Sequence, residues 1–170
     1  IQYVGVNGGE PTLRQDLVEI FKVLCSKTPK MRGVGLITNG IQGDVAKEKI
    51  LECWKICCQN EIKFDLMISL DGIGDVHDAV RGSKGSFDSA VRLLKYFHNQ
   101  TPIDTSFGCT LTNLNVWHVD EFLDYVKKEG FRGRFRIAEF INRLGNQEQR
   151  QVIRNFDDRM KYHLGLFFFR

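Results

Sequence analysis

The sequence predicts an α/β fold built on a parallel β-sheet. Five short apolar segments, each bounded by turn-forming residues, alternate with longer segments in which apolar residues recur at helical spacing. Strands that alternate with helices in this way pair in parallel through right-handed crossovers. The alternation alone is compatible with a doubly wound sheet or with part of a (β/α) barrel.

Local signals set the limits of each element. The predicted strands cover residues 2–6, 33–38, 63–70, 104–111 and 133–140. The predicted helices cover residues 14–27, 44–60, 86–99, 119–129 and 147–166. Asp44 and Ser86 stand where a side chain would cap the second and third helices, and Gly130 follows the fourth as a C-terminal cap. The glycine-rich stretch before Ser86 predicts a loop.

Apolar spacing supports the individual assignments in chain order. The first helix carries one apolar face, formed by Leu17, Ile20, Phe21 and Leu24. The strand at residues 63–70 is mostly apolar, as expected for a parallel strand buried on both faces. The helix that follows Ser86 also has one apolar face, formed by Ala90, Leu93, Leu94 and Phe97.

Bulk composition is that of an ordinary globular protein. The chain has 170 residues, of which 42% are hydrophobic and 26% charged, and its formal net charge is +3. This balanced charge gives no indication of nucleic-acid binding, and no apolar stretch reaches membrane-spanning length. The chain starts inside a strand pattern at Ile1 and ends on an apolar run, so we expect a fragment of a longer protein.

The five cysteines allow two interpretations. An odd count without a secretory signal favours reduced thiols and a cytoplasmic location. Cys53, Cys57 and Cys58 are close in sequence and could bind a metal. Cys53 and Cys57 lie four residues apart in a helical pattern, where cysteine packs as a small hydrophobe. We favour core packing and predict no metal ligands in this chain.

Four motifs in the same order identify a family resemblance. The first is Gly8-Gly9-Glu10-Pro11 after the first strand, and the second is Thr38-Asn39-Gly40 after the next. Ser69-Leu70-Asp71-Gly72 ends the third strand, and His77-Asp78, Arg81-Gly82 and Gly85-Ser86-Phe87 follow it. Over residues 2–140 the chain resembles the radical S-adenosylmethionine (radical SAM) family, most closely its peptide- and protein-modifying, SPASM-like branch.

The resemblance implies a fold and a reaction. The fold would be a partial (β/α) barrel, with the five strands here as its second to sixth. The family reductively cleaves S-adenosylmethionine with a 4Fe-4S cluster to give a 5′-deoxyadenosyl radical that abstracts hydrogen from a substrate. The family's C-x-x-x-C-x-x-C cluster motif precedes GGEP, so its ligands are expected upstream of Ile1. Cys53 and Cys57 follow GGEP, and the third ligand position is Asn60.

The resemblance also implies which residues bind S-adenosylmethionine. Backbone carbonyls of Gly8, Gly9 and Glu10 would accept hydrogen bonds from the methionine ammonium, which has three donors. Ser69 would contact the methionine carboxylate or the ribose, and Arg81 would hold the carboxylate with two charge-assisted bonds. The further candidates, for the turn, for polar contacts and for adenine, are Pro11, Asn39, Asp71, Asn113 and Ile137.

Structural roles remain open for the same residues. Glycines in a strand–helix turn are commonly structural, and Thr38-Asn39-Gly40 forms a stable turn without a ligand. Ser69 and Asp71 could cap the next element, and Arg81 could be an ordinary surface residue. For His77 we favour a loop or capping role over catalysis.

The predicted function is that of a radical SAM enzyme core acting on a peptide, a protein or a small molecule. Residues 1–140 would form the core barrel, and residues 141–170 a helix leading toward a further region. The expected partner is an electron donor such as flavodoxin or ferredoxin, with no nucleic acid or membrane. One alternative is a non-catalytic relic that binds S-adenosylmethionine or a peptide without a cluster. A phosphate-handling barrel enzyme is another, but residues 133–150 contain no glycine-rich phosphate loop.

Overall fold

A computed structural model describes residues 1–139 and 155–169 of the chain. The strands are β1 (Tyr3–Val6), β2 (Gly33–Thr38), β3 (Lys63–Ser69), β4 (Asp104–Leu111) and β5 (Gly133–Ile137). The helices are α1 (Leu17–Lys27), α2 (Gly43–Gln59), α3 (Asp75–Arg81), α4 (Ser86–Gln100), α5 (Val119–Lys128) and α6 (Asp158–Phe168). Short 3-10 helices lie at Pro11–Leu13 and Val116–His118. The predicted alternation of strands and helices is confirmed.

The strands form one sheet in sequential order, from β1 to β5. β1 pairs with β2 and β2 pairs with β3 in parallel, with Tyr3 opposite Gly33 and Leu36 opposite Leu66. A doubly wound sheet reverses its strand order at a switch point, whereas this order has no reversal. The sheet is therefore the open, partial barrel that the resemblance implied.

The chain divides into two compact units, and each is described by itself. The first unit comprises Ile1–Ser69 and Asp88–Phe107, and the second comprises Leu70–Phe87 and Gly108–Arg170. In the first unit, apolar side chains of β2 and β3 are buried together with those of α1 and α2. One such contact joins the rings of Phe21 and Phe64, whose centroids are 5.9 Å apart. Burial of these apolar side chains is the main stabilising contribution in this unit.

On the other face of the sheet, Tyr3 covers two glycines of β2. A Cβ atom at Gly33 or Gly35 would collide with the Tyr3 side chain. The Tyr3 hydroxyl reaches β3, where it donates a hydrogen bond of 3.2 Å to Asp65. Glycine at these two positions therefore lets one aromatic side chain cross the sheet.

The cysteine-rich face of α2 belongs to the core. Cys53 and Cys57 are fully buried, and the Sγ atom of Cys57 lies 3.9 Å from that of Cys25 on α1. Burial raises the pKa of Cys53 to about 12. Cys58, the residue after Cys57, is exposed. The structure thus supports core packing for Cys53 and Cys57.

Several predicted boundaries and caps are wrong. Residues 75–81 were expected to be loop but form α3. Asp44 does not cap α2: the helix begins at Gly43, and the carboxylate of Asp44 pairs with Lys47 at 2.8 Å. Ser86 is the first residue of α4 rather than its cap, and its hydroxyl donates to Asp78.

The chain's last part follows the prediction less closely. β5 ends at Ile137, so the predicted strand is shorter, and its predicted last residue, 140, lies outside the described residues. The helix predicted at residues 147–166 is observed as α6 from Asp158 to Phe168, and residues 147–154 are likewise outside the described part. Among the described helices, none combines the length and the apolar character needed to cross a bilayer.

Candidate functional site

The carboxylate of Glu10 organises the loop after β1. Glu10 is the N-cap of the 3-10 helix Pro11–Leu13, and its Oε1 accepts from the backbone N–H of Thr12 at 3.1 Å. The same oxygen accepts from the hydroxyls of Thr12 and Thr38, each at 2.7 Å. Its Oε2 accepts from the backbone N–H of Asn39 at 2.7 Å. We call these four residues, Glu10, Thr12, Thr38 and Asn39, the Glu10 network.

The Glu10 network fixes the loop to the end of β2 and leaves the preceding glycines open. Gly8 and Gly9 are exposed, and a Cβ at either would meet no atom within 4 Å. Within residues 1–139 and 155–169, no hydrogen bond engages the carbonyl of Gly8 or Gly9. Two free acceptors on a fixed loop suit an ammonium group of a ligand.

The turn after β2 is held by its own side chains. The Oδ1 atom of Asn39 accepts from the N–H of Ile41 at 2.9 Å. The N–H of Gly40 donates to Thr38, while the Gly40 carbonyl accepts from Ser89 at 2.8 Å. Gly40 also has a positive φ of 72° and packs closely against Ala90. The turn therefore has a structural role, which leaves mainly the amide nitrogen of Asn39 for a ligand.

The second unit contains a different polar network, built around Asp71. The side chain of Asp71 is 1% exposed, and its Oδ1 accepts from the N–H of Thr110 at 2.7 Å. The backbone N–H of Asp71 donates to Nδ1 of His77, and its carbonyl accepts from the Asn115 amide. Nε of Arg81 lies 2.7 Å from Oδ2 of Asp71. We call these five residues the Asp71 network.

The contact between Asp71 and Arg81 is an ion pair without hydrogen-bond alignment. Neither Arg81 Nε nor Asp71 Oδ2 forms a hydrogen bond within the described part of the chain, although both atoms are buried. Burial raises the pKa of Asp71, while the charge of Arg81 and the N–H of Thr110 act in the opposite direction. Attraction in this desolvated setting holds the two groups together.

Helix α3 brings two members of the Asp71 network onto one face. His77 and Arg81 are four residues apart, the spacing that aligns side chains along a helix. Gly82, with φ of 63°, ends α3 in a left-handed cap that is closed by a hydrogen bond from Ser83 to the carbonyl of Asp78. Burial lowers the pKa of His77 to about 4, so the imidazole is neutral at pH 7.

Asp78, the other half of the His-Asp motif, has a structural role. Its carboxylate accepts from the N–H of Phe87 and from the hydroxyl of Ser86, each at 2.8 Å, and also from the N–H of Gly85. These bonds lower the pKa of Asp78. Asp78 therefore satisfies donors at the start of α4, the role expected of an acidic residue at a helix N-terminus.

The remaining predicted residues lie in separate surroundings. Ser69 is half-buried at the end of β3, and Oδ1 of Asn113 is buried without a hydrogen-bond partner among the described residues. Pro11 is buried as the first residue of its 3-10 helix. Ile137 lines a cavity of about 460 Å³ together with Phe156 and with residues of α6 that include Leu164 and Phe168. The orphaned amide oxygen of Asn113 would suit a polar ligand contact, and the mostly apolar surroundings of Ile137 would suit an apolar one.

Sequence reasoning missed the residues that complete the two networks. Thr38 belongs to a predicted motif, but its hydrogen bond to Glu10 was not foreseen, and Thr110 lies inside β4, where only the strand pattern was considered. Asn115 accepts from the N–H of Thr112 at 2.8 Å and donates to the carbonyls of Asp71 and Thr110. A Thr-x-x-Asn pattern directly after a strand was the one local signal of Asn115's turn-forming role.

The described residues do not fit the ligand set of an iron–sulfur cluster. Among residues 1–139 and 155–169, no three histidine, cysteine or acidic side chains converge on a common point. The three buried cysteines of the first unit have raised pKa values, so they are protonated thiols rather than the thiolates that bind iron. No step at a cluster is assigned to these side chains.

The comparison with protein families identifies the chain. The family model described as the radical SAM superfamily matches residues 1–126. The chain therefore belongs to the radical SAM superfamily. The resemblance that the four motifs indicated is confirmed.

Curated relatives and solved structures agree with this membership. "Mycofactocin maturase MftC" of Mycolicibacterium smegmatis is 37% identical over 129 residues, 75% of this chain and 30% of the relative. "Antilisterial bacteriocin subtilosin biosynthesis protein AlbA" of Bacillus subtilis is 29% identical over 126 residues, 74% of this chain and 26% of the relative. The chain thus spans less than a third of the length of these relatives.

Two solved structures support the fold. Streptococcus suis SuiB bound to the precursor peptide SuiA matches with a TM-score of 0.64 and 18% identity, over 97% of this chain and 35% of that one. Native anSMEcpe with bound AdoMet and a Kp18Cys peptide matches with a TM-score of 0.57 and 24% identity, over 81% and 38%. At these identities the likeness concerns the fold.

Proposed function

We propose that the protein containing this chain is a radical SAM enzyme that acts on a peptide or a protein. The observation that carries the proposal is the Glu10 network, which holds the Gly8-Gly9 backbone open and fixed at the end of β1. Membership of the radical SAM superfamily supports S-adenosylmethionine as the ligand of this loop. The reaction would be reductive cleavage of this cofactor to a 5′-deoxyadenosyl radical that abstracts hydrogen from the substrate.

The cofactors of the proposal are S-adenosylmethionine and a 4Fe-4S cluster. A bound cluster supplies the electron that cleaves S-adenosylmethionine. Its ligands would come from residues other than those described, which do not converge on a metal. Binding of the cofactor is supported in the first unit by free backbone acceptors at Gly8 and Gly9 and in the second unit by the guanidinium of Arg81.

We assign the cofactor contacts as follows. The carbonyls of Gly8, Gly9 and Glu10 would bind the methionine ammonium, and Arg81 the methionine carboxylate. Ser69 has a hydroxyl without a hydrogen bond within the described residues and would contact the carboxylate or the ribose. The further assignments, weaker in their structural support, are Pro11, Asn39, Asp71, Asn113 and Ile137.

The proposed substrate class follows from the relatives. SuiB was solved with a precursor peptide, anSMEcpe was solved with a peptide, and AlbA is named for the biosynthesis of a bacteriocin. The sheet of this chain has the same architecture, so a peptide is the substrate that these comparisons favour. An electron donor such as flavodoxin or ferredoxin would reduce the cluster. The free cysteines among the described residues agree with a cytoplasmic location.

The domain division predicted from the sequence also stays a proposal. Residues 1–140 would form the core barrel, and residues 141–170 would lead toward a further region of the protein. The family model covers residues 1–126 of this core. Part of the proposed boundary falls on residues 140–154, outside the described residues.

The test uses the full-length protein, reconstituted anaerobically with iron and sulfide. A Cβ atom at Gly9 would meet no protein atom within 4 Å, so we expect Gly9→Val to keep the fold while its side chain fills space needed by the cofactor. We expect affinity for S-adenosylmethionine to fall at least about tenfold, equivalent to about 1.4 kcal/mol. Equilibrium dialysis measures the affinity, and 5′-deoxyadenosine formation measures the cleavage.

Ser26→Val is the control, because Ser26 is an exposed residue of α1 and has no proposed contact with the cofactor. This variant should keep the affinity of the unchanged protein. Equal affinity of the Gly9→Val variant and the unchanged protein would refute the loop assignment. Cofactor binding without 5′-deoxyadenosine, despite a reconstituted cluster, would instead favour the non-catalytic binding protein.

A further inference from the structure

We infer that Asp71 is a positioning residue that orients Arg81 toward the methionine carboxylate of S-adenosylmethionine. The inference rests on the proposed function, in which Arg81 contacts that carboxylate. It replaces the direct cofactor contact proposed above for Asp71, because the side chain of Asp71 is buried. The geometry of the Asp71 network supports this role.

Asp71 is fixed on three sides within the second unit. His77 accepts from its backbone N–H at 3.0 Å, and Asn115 donates to its carbonyl at 2.7 Å. Thr110 donates to Oδ1 at 2.7 Å, so the carboxylate cannot rotate without losing a buried hydrogen bond. With its side chain 1% exposed, Asp71 has little contact with solvent. It is therefore poorly placed to contact a ligand and well placed to serve as a fixed charge.

Arg81 is the more exposed member of the pair. It lies in the last turn of the seven-residue α3, and its side chain is 26% exposed. The ion pair to Asp71 engages the Nε end of the guanidinium, and no bond within the described residues engages its terminal nitrogens. Two parallel N–H groups are what a carboxylate accepts in a bidentate contact. Anchoring at Nε reduces the conformational entropy that Arg81 would lose on binding.

The negative charge of Asp71 also has an opposing effect. It weakens the attraction of Arg81 for a second carboxylate, so removing it could strengthen binding through charge alone. For Asp71→Asn, loss of orientation therefore predicts weaker binding of S-adenosylmethionine, whereas loss of the negative charge predicts stronger binding. This variant keeps a carbonyl oxygen that can accept from Thr110 and changes the charge beside Arg81. Weaker binding shows that orientation dominates.

The experiment compares two ligands in the cluster-loaded, full-length protein under anaerobic conditions. Equilibrium dialysis gives the dissociation constants of S-adenosylmethionine and of decarboxylated S-adenosylmethionine, which lacks the group that Arg81 would bind. We expect Arg81→Ala to weaken binding of S-adenosylmethionine by about 10–100-fold. Asp71→Asn should weaken it by about 3–10-fold, and the double variant should bind like Arg81→Ala alone.

Decarboxylated S-adenosylmethionine distinguishes positioning from a general structural defect. In Asp71→Asn its affinity should change less than about twofold, because the missing carboxylate makes the orientation of Arg81 irrelevant. The matched control is Asp65→Asn on β3, which also alters an ion-paired carboxylate, here one that pairs with Lys63 at 2.9 Å. We define the affinity ratio as the affinity for S-adenosylmethionine divided by that for the decarboxylated ligand. This control should leave the affinity ratio unchanged.

Each outcome assigns the failure to one proposal. If Arg81→Ala leaves the affinity ratio unchanged, the carboxylate contact under the proposed function is wrong, and the positioning role falls with it. If Arg81→Ala lowers the ratio and Asp71→Asn leaves or raises it, only the positioning role is overturned. If Asp71→Asn does not fold, Arg81→Lys tests the positioning role instead. Full affinity of Arg81→Lys for S-adenosylmethionine would show that a positive charge is sufficient without a guanidinium oriented by Asp71, and would overturn the positioning role.

Discussion

Glu10 shows how the side chain of a motif residue can have a structural role while the backbone beside it stays open. Both of its carboxylate oxygens are engaged inside the protein, by three hydrogen bonds to Oε1 and one to Oε2. Thr12 and Thr38 are buried, so their hydroxyls depend on this acceptor. The side chain of Glu10 builds the loop, while the neighbouring backbone carbonyls remain available.

The substitution Glu10→Gln tests this role. A glutamine can place its carbonyl oxygen where Oε1 lies, but its amide nitrogen then faces the N–H of Asn39, and two donors oppose each other. We expect a loss of about 1–3 kcal/mol in local stability. Hydrogen exchange of the Asn39 amide in the full-length protein measures it, and should be faster in the variant.

Thr12→Val provides the comparison for that measurement. It removes one hydroxyl that donates to Oε1 but leaves the acceptor for Asn39 intact. The exchange of the Asn39 amide should therefore stay close to that of the unchanged protein. Protection of this amide that is as strong in Glu10→Gln as in the unchanged protein would contradict the structural role of the carboxylate.

At the scale of the element, α2 illustrates how helical spacing separates similar residues. Cys53 and Cys57 are one turn apart and buried, whereas Cys58 is rotated by about 100° and exposed. Burial raises the pKa of both inner thiols, and that of Cys53 reaches about 12. The inner thiols therefore lack both the access and the thiolate form that alkylation requires.

We expect iodoacetamide at pH 7.5 to modify Cys58 of the native full-length protein before any other cysteine described here. Cys53, Cys57 and Cys109 are buried and should react only after denaturant is added. Peptide mapping by mass spectrometry measures each site, and the urea-unfolded protein is the control. Rapid modification of Cys53 or Cys57 in the native protein would show that this face of α2 is not packed as described.

Elements with strong local signals were predictable from the sequence. The bounds predicted for β2 and β4 are those observed, because apolar runs between turn residues mark them at both ends. Helix α3 was missed because seven residues between glycines are too short to show a periodicity. Its stability depends on contacts such as that of His77 with Asp71, which lie outside any local pattern.

The residues of the candidate site likewise divide into those that local motifs mark and those that only the fold brings together. Gly8, Gly9 and Arg81 belong to contiguous motifs, so they could be proposed as site residues from the sequence. Thr110 lies 39 residues from Asp71, and Asn115 lies 44 residues from it. Separations of this size carry no periodicity, so partners brought together by pairing of distant strands are visible only in the fold.

At the scale of the whole molecule, the dependence of stability on pH combines groups of opposite sign. His77 has a pKa lowered to about 4, so its proton is bound more readily by the unfolded chain. Its contribution to stability is present above its unfolded pKa of about 6.5 and is lost as the pH falls toward 4. The pKa of Asp71 is raised from 3.8, so the folded chain binds its proton more readily and the contribution of Asp71 to stability decreases as the pH rises above 3.8.

The pKa of His77 predicts that acid destabilisation begins well above the range of ordinary carboxylates. Between pH 7 and pH 5, this one histidine should reduce the free energy of unfolding by about 2 kcal/mol, since it must be neutral to stay buried. His77→Gln is the matched variant, because an amide oxygen can still accept from Asp71 but does not titrate.

The measurement is hydrogen exchange of the peptides covering β3 and α3 in the full-length protein at both pH values, corrected for intrinsic exchange rates. Between pH 7 and pH 5 the free energy of unfolding of the unchanged protein should fall by about 2 kcal/mol more than that of His77→Gln. The raised pKa of Asp71 affects both proteins alike. Equal losses would mean that His77 titrates near its ordinary pKa. The buried, neutral imidazole would then not be the acceptor that fixes the main chain of Asp71.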